Sequence, residues 1–311
     1  MKLKHLLYIA ILGVGFAACS NDDATTSTAE KAKVNINISQ SGLTADVESR
    51  ATNQMPLEDA NLMYNLILLH YNSNQVLTEV QYDSSNPSLS QGLYETTWAP
   101  TLTLGEDDYV VLLANVKQDN DGLETLQKWN DKGASLFANL RDVMSTDLPL
   151  TDGSDGSYSS SKKMFMMGYY HGKISANMNL NVMMGRMVSC IKLVFTSSST
   201  STTITSVKIN NAVMSSYFFP ASTSTNSLTY GSYTDNLTSN NVASSSSPLT
   251  LYYYTGENIN PTEAHRTTAT ITSSKGTYTV VLGSDSPSVT SNRNYSLYRN
   301  NTYTFTLNFK N

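Results

Sequence analysis

Apolar side chains at every second position govern this chain. Val34, Ile36 and Ile38 alternate with Asn35, Asn37 and Ser39, and Tyr303, Phe305, Leu307 and Phe309 alternate with Thr304, Thr306 and Asn308. Successive side chains of an extended strand point to opposite faces, so this period belongs to half-buried β-strands. Further strands are expected at Leu62–Tyr71, at Tyr94–Leu104 (bent or at an edge because of Pro100) and at Tyr109–Val116. Others are expected at Ile174–Leu180, Met187–Phe195, Ile204–Met214, Leu249–Tyr254, Thr267–Thr272 and Thr277–Leu282, with Arg186 between the first two. One stretch breaks the pattern. Leu123, Leu126 and Trp129, then Leu136, Leu140 and Val143, recur at helical spacing around Gly133, which predicts two short helices. The Ser- and Thr-rich runs 196–205 and 221–247 read as solvated loops or edge strands. The fold class expected is all-β, with a short helical insert and two lobes.

The start of the chain carries a different signal. Met1-Lys2-Leu3-Lys4, an apolar stretch from Leu6 to Phe16, and the small pair Ala17-Ala18 make a secretory leader too short to span a bilayer as a mature helix. Phe16-Ala17-Ala18-Cys19 resembles a lipoprotein signal, so residues 1–18 are read as a signal peptide and Cys19 as the lipidated residue. An ordinary signal peptide with an incidental Cys is the alternative. Ser20-Asn21-Asp22-Asp23 resembles the acidic tag that carries some lipoproteins to the outer surface. With Cys19 lipidated, Cys190 is left without a partner for an internal disulfide and is expected as a small buried hydrophobe. Residues 19–50 then form a tether and the first strand. Glu48-Ser49-Arg50-Ala51 is either a plain linker or a trypsin-like processing site between Arg50 and Ala51, in the kind of polar loop where nicking concentrates.

Composition narrows the function. Charged residues are only 14% of the chain, the net charge is −5, and no Lys/Arg patch stands out, which disfavours nucleic acid as a partner. A weakly charged, Ser/Thr-rich surface suits a secreted or cell-surface β-protein. The chemistry of sites is thin: there is no Gly-x-Ser-x-Gly elbow, no phosphate-binding loop and no His cluster at metal spacing. His70, at the end of an apolar strand, reads as a strand-end or core residue. Asp119-Asn120-Asp121-Gly122 and Asp152-Gly153-Ser154-Asp155-Gly156 read as turns, because neither has calcium-loop spacing. Met164, Met166, Met167, Met178, Met183, Met184 and Met187 read as core filler. No catalytic residue, metal or cofactor is expected, and the chain is not read as an enzyme.

Five segments, in order, resemble the fimbrillin superfamily, the lipoprotein pilins and accessory subunits of type V pili. Tyr109-Val110-Val111-Leu112-Leu113-Ala114-Asn115 is similar to that family's aliphatic strand ending in Ala-Asn, and Met164-Phe165-Met166-Met167-Gly168 to its Pro-Met-Ser-Gly segment, with Met167 in place of Ser. Arg186 to Leu193 resembles the strand leading into the second lobe, with Ser189-Cys190-Ile191 spacing it differently. Tyr252 to Asn258 resembles a Tyr-x-Pro-Glu-Asn segment without its Pro, and Tyr298-Arg299-Asn300-Asn301-Thr302-Tyr303 the start of the last strand. The resemblance implies two β-sandwich, transthyretin-like lobes, placed at 51–184 (with the helical insert) and 185–311. It implies an outer-membrane Arg-specific protease that cuts after Arg50 and removes a strand with Val34, Ile36 and Ile38 on its inward face. A donor strand bearing Tyr303, Phe305, Leu307 and Phe309 would then fill the groove of the next subunit.

Three functions stay open at this level. The first is a polymerising fimbrial subunit, a lipoprotein precursor of the cell outer membrane that ends in a surface fimbrium supporting adhesion, either as a homopolymer or with accessory pilins. The second is an uncleaved, lipid-anchored anchor subunit carrying palmitate on Cys19. The third is a surface glycan- or ligand-binding lipoprotein stacking sugars on the strand of Tyr252, Tyr253 and Tyr254, at most two of which can share a platform because successive side chains alternate faces. For Tyr303 to Phe309 the alternative to a donor is an ordinary closing strand of its own lobe.

Overall fold

The computed structural model describes residues 29–40, 59–83, 85–116, 126–131, 133–140, 144–145, 148, 150–151, 156–157, 163–198, 201–219, 228–237, 241–283 and 294–310. The first half runs β1 (Lys31–Lys33), β2 (Asn35–Gln40), β3 (Leu66–Tyr71), β4 (Leu77–Tyr82), β5 (Glu95–Trp98), β6 (Thr101–Thr103) and β7 (Gly105–Ala114). Two short helices follow, α1 (Leu126–Asp131) and α2 (Phe137–Leu140), then β8 (Met144–Ser145), β9 (Met166–Ile174) and β10 (Asn179–Arg186). Seven strands form one sheet in the order β4-β3-β7-β9-β10-β2-β5, while β1 pairs with β6. The sheet curls, because side chains from its distant strands share one core: Ile36 and Ile38 of β2, Leu66 and Leu68 of β3, Leu112 of β7, and Leu180 and Val182 of β10. The alternate residues of β3 and β7, among them Ile67, Leu69, Val111 and Leu113, are buried on the opposite face with Trp129 and Leu140 of the helical insert. Two covered faces explain why Leu66–Leu69 reads as an unbroken apolar run.

The second half contains β11 (Val188–Ser197), β12 (Thr202–Val213), β13 (Ser216–Tyr217), β14 (Tyr230–Asn236), β15 (Val242–Ala243), β16 (Leu249–Gly256), β17 (Thr268–Ser273), β18 (Gly276–Val281) and β19 (Thr302–Phe309). A three-stranded sheet, β16-β11-β19, faces a sheet ordered β14-β12-β17-β18, with β15 attached to β12. Leu193 and Phe195 of β11, Leu251 of β16, Val207 and Ile209 of β12 and Ile271 of β17 meet between them as a sandwich core. β13 pairs with β8 and so ties this half to the first. The chain is mainly β with two short helices, as its alternation predicts.

Local departures have local causes. The expected strand Ile174–Leu180 is instead the end of β9, a turn and the start of β10. Asn177 takes φ 58°, a left-handed conformation that Asn tolerates, and Ser175 N–H donates to the Met178 sulfur across the turn. The strand expected at Leu62–Tyr71 begins at Leu66, with Met63 held in a single bridge to Leu93. Pro100 does interrupt its strand, between β5 and β6. β4 escaped notice because Thr78, Glu79 and Gln81 dilute its apolar residues. β14, inside a Ser/Thr-rich run, is an edge strand. In the helical insert Trp129 and Leu140 are buried, but Leu126 and Leu136 are exposed, so the apolar stripe is narrower than its spacing implied. Met164, Met166, Met184 and Met187 lie in the core as expected, whereas Met183 points outward from β10 and is 63% exposed.

Candidate functional site

β2 is held on both sides. It runs parallel to β10, with Ile36 opposite Leu180 and Ile38 opposite Val182, and antiparallel to β5, with Ile36 opposite Trp98. Val34, Ile36 and Ile38 are completely buried. On the outer face Asn35 donates to Asn179 at 3.1 Å and Asn37 to Asn181 at 3.0 Å, a carboxamide ladder matching the parallel register. The backbone is stitched beyond the strand as well: Val34 N–H donates to Pro100 O, Asn35 N–H to Met178 O and Gln40 N–H to Tyr94 O. Burying three aliphatic side chains is worth about 6 kcal/mol at roughly 2 kcal/mol each. Removing residues 29–40 would leave β10 and β5 facing each other across an open apolar slot with unpaired backbone groups on both walls.

An ion pair fastens the same segment. Lys31 Nζ on β1 lies 2.6 Å from Glu79 Oε1 on β4, and Thr103 Oγ donates to the same oxygen at 2.5 Å. The Glu79 side chain is 8% exposed and that of Lys31 53%. Burial alone would raise the Glu79 carboxyl, but the His70 ring, the Lys31 ammonium and the Thr103 hydroxyl together outweigh it and hold the group down to about 2. His70 Nδ1 lies 3.9 Å from Glu79 Oε2. Its Nε2 bonds Asp108 at 2.8 Å, and the ring is fully buried. His70 is thus a core histidine between two carboxylates.

β19 has the same pattern at the other end of the chain. It runs parallel to β11, from Cys190 opposite Thr302 to Ser197 opposite Phe309, and is the outer strand of its sheet. Tyr303, Phe305 and Leu307 are half-buried against the core, while Phe309 is buried, its ring stacked on Phe195 at a centroid distance of 6.2 Å and edge-on to Tyr278 at 5.5 Å. Within this chain, therefore, the last strand does close its own lobe.

The root of β19 is bolted down. Arg299 donates through Nη1 to Phe218 O at 3.0 Å and through Nη2 to Ser216 Oγ at 3.1 Å and Phe219 O at 3.2 Å, with Glu257 Oε2 3.4 Å from its Nε. Asn300, the next residue, takes φ 59° and turns the chain into the strand, and its N–H donates to Val188 O.

Cys190 is buried as expected, and burial pushes its thiol up to about 11, so it stays protonated and inert. The proposed tyrosine platform is corrected: Tyr252 is 6% exposed and Tyr253 and Tyr254 are fully buried, because β16 is covered on both faces. Tyr253 OH donates to Asp235 at 2.9 Å and Tyr233 OH to Tyr254 O at 2.6 Å. None of the three can stack on a sugar. Cys19, Arg50 and Ala51 lie outside the described residues. Sequence reasoning missed Lys31, Glu79 and the clamp made by Arg299; the charged partners lie 48 (Lys31–Glu79) and 42 (Glu257–Arg299) positions apart, which offers no local signal.

No family model and no curated protein matches this sequence. Solved structures do match in fold. The tip fimbrial protein Mfa3 from Porphyromonas gingivalis, with C-terminal truncation, superposes with a TM-score of 0.60 at 13% identity, over 89% of this chain and 94% of that one. A protein of Parabacteroides distasonis assigned to cell adhesion gives 0.59 at 16% identity, over 90% and 88%. Fimbrilin FimA from Porphyromonas gingivalis gives 0.55 at 12% identity, over 90% of both chains. The chain is similar to these proteins along nearly its whole length, and what the similarity shows is a shared fold.

Proposed function

We propose that this chain is a structural subunit of a cell-surface fimbria, exported as a lipoprotein anchored at Cys19, cut between Arg50 and Ala51, and joined to other fimbrial subunits by strand exchange. The fold it shares with a tip fimbrial protein and a fimbrilin supports the fimbrial reading. One observation carries the exchange step: β2 and β19 are interchangeable in pattern and direction. Each presents four inward side chains at alternate positions (34, 36, 38 and 40 against 303, 305, 307 and 309), and each runs parallel to its neighbour. A C-terminal strand from a second copy therefore fits the slot beside β10 in the direction β2 already takes. In that slot it gains two flanking strands instead of one, and its half-buried side chains become buried.

In this reading residues 1–18 are the signal peptide, 19–50 leave with the first strand, and lobes 51–184 and 185–311 remain. An outer-membrane Arg-specific protease makes the cut, and adhesion is the filament's task. The complete burial of Val34, Ile36 and Ile38, together with the Lys31–Glu79 pair, favours a second reading, an anchor subunit that keeps its lipid and its first strand. The deciding experiment is the N-terminal sequence and intact mass of the protein taken from the cell surface. A start at Ala51 supports exchange; a lipidated start at Cys19 with Arg50 uncut sinks the polymerising role and leaves the anchor.

A further inference from the structure

Arg186 is the anomaly of the slot. It ends β10 on the face that buries Leu180, Val182 and Met184, it is completely buried, and none of its three guanidinium nitrogens has a hydrogen-bond partner. A guanidinium withdrawn from water with no acceptor is strongly unfavourable, so the arrangement calls for a ligand that the described residues do not provide. The neighbourhood shows where that ligand comes from. β9 places Met166 opposite Arg186, and Gln40, the last residue of β2, donates its Nε2 to the Met166 sulfur at 2.9 Å while its Oε1 is also buried without a partner. The described β2 ladder reaches Gln40 opposite Met184, and the next inward-facing position of β10 is Arg186.

We infer that Arg186 is the register lock of the strand-acceptor groove, a site for the side-chain oxygen of residue 311 on a C-terminal strand donated by a second copy of this chain. The inference rests on the strand-exchange reading and makes it more specific. Seating Tyr303, Phe305, Leu307 and Phe309 in the positions of Val34, Ile36, Ile38 and Gln40 brings Asn311 opposite Arg186 by the two-residue period of the ladder. Its carboxamide oxygen is an acceptor of the kind the guanidinium lacks. A slip of two residues would instead set Phe309 against Arg186 and leave the nitrogens unsatisfied. The arginine thus selects one register where the repeating apolar pattern alone would allow several.

The test uses the full chain with a specific protease site in place of residues 45–50, cut to release β1 and β2 in the presence of a fluorescent, C-terminally amidated peptide covering residues 300–311. Three peptides are compared: the native one, Asn311→Asp and Asn311→Leu. The expected result is that Asp binds about ten-fold tighter and Leu about ten-fold weaker than Asn, since a hydrogen bond to a charged group is worth at least one decade in affinity. In Arg186→Met chains the three should converge. If that variant does not fold, the peptide series on the native chain still decides, because binding indifferent to residue 311 overturns the lock while leaving strand exchange intact. Failure of all three peptides to bind the cut chain overturns strand exchange, and the lock with it.

Discussion

Truncating Ile36 to alanine tests whether β2 is a separable element. The side chain is completely buried between Leu180 on one flank and Trp98 on the other. Three carbon atoms are lost, worth about 2.4 kcal/mol of transfer free energy at roughly 0.8 kcal/mol each. Strands on both sides prevent collapse into the void, so a cavity term brings the cost to about 3–4 kcal/mol. If the segment 29–40 opens on its own, that cost falls on the opening step alone. Hydrogen exchange followed by mass spectrometry should then show protection of residues 35–40 falling by on the order of a hundred-fold or more, with β3 and β7 little changed. Asn37→Ala, on the exposed face, should shift protection far less. An equal loss across β2, β3 and β7 would refute the reasoning, since it would mean that the first strand opens only when the whole sheet unfolds.

Other expectations concern neighbouring groups. Because the Glu79 carboxyl is held down to about 2 in the folded chain, below its ordinary 4.5, its stabilising contribution is complete above pH 4.5 and is lost as pH falls towards 2. Acid-unfolding curves of Lys31→Met should therefore be shallower across that window than those of the native chain. Arg299→Ala strips the buried Glu257 of its cation and two backbone carbonyls of a donor, so thermal or chemical unfolding should report a loss of about 3–5 kcal/mol, with Lys a poor substitute because it lacks the planar fork. Tyr253→Phe removes the bond to the buried Asp235 and should cost about 1–3 kcal/mol by urea denaturation. Phe309→Ala, which loses its contacts with Phe195 and Tyr278, should lower stability by about 3 kcal/mol, and under the proposed strand exchange it should also abolish assembly with other subunits.

Legibility followed the range of the forces involved. Local patterns belong to adjacent residues, so β2 and β19 stand out in the sequence by alternation and β7, β11 and β16 as apolar runs bounded by polar turns. Where a strand carries polar groups on a partly wet face, as β4 does with Thr78, Glu79 and Gln81, the pattern weakens and the strand is missed. The inward faces of β2 and β19 were readable, but not that both strands run parallel to their neighbours, since direction depends on chain connections more than a hundred residues long. Burial was the hardest property to foresee. Tyr252, Tyr253 and Tyr254 sit in a strand covered on both faces, which alternation cannot distinguish from a half-wet one. The pairing of Lys31 with Glu79 and the isolation of Arg186 exist only once distant strands are side by side.

The clamp on Arg299 also sets how a tensile load would travel. Under the proposed exchange, a strand leaving its own lobe would stay rooted there through four bonds from the Arg299 guanidinium and backbone, beside the left-handed turn at Asn300. Once such a strand lies along β10, pulling the two lobes apart draws it lengthwise past its neighbours. That is shear: the whole ladder must yield together, whereas peeling would break its bonds one at a time. A joint assembled as proposed would resist force along a filament far better than its equilibrium contacts would suggest, with the root at Arg299 as the post against which that force is borne.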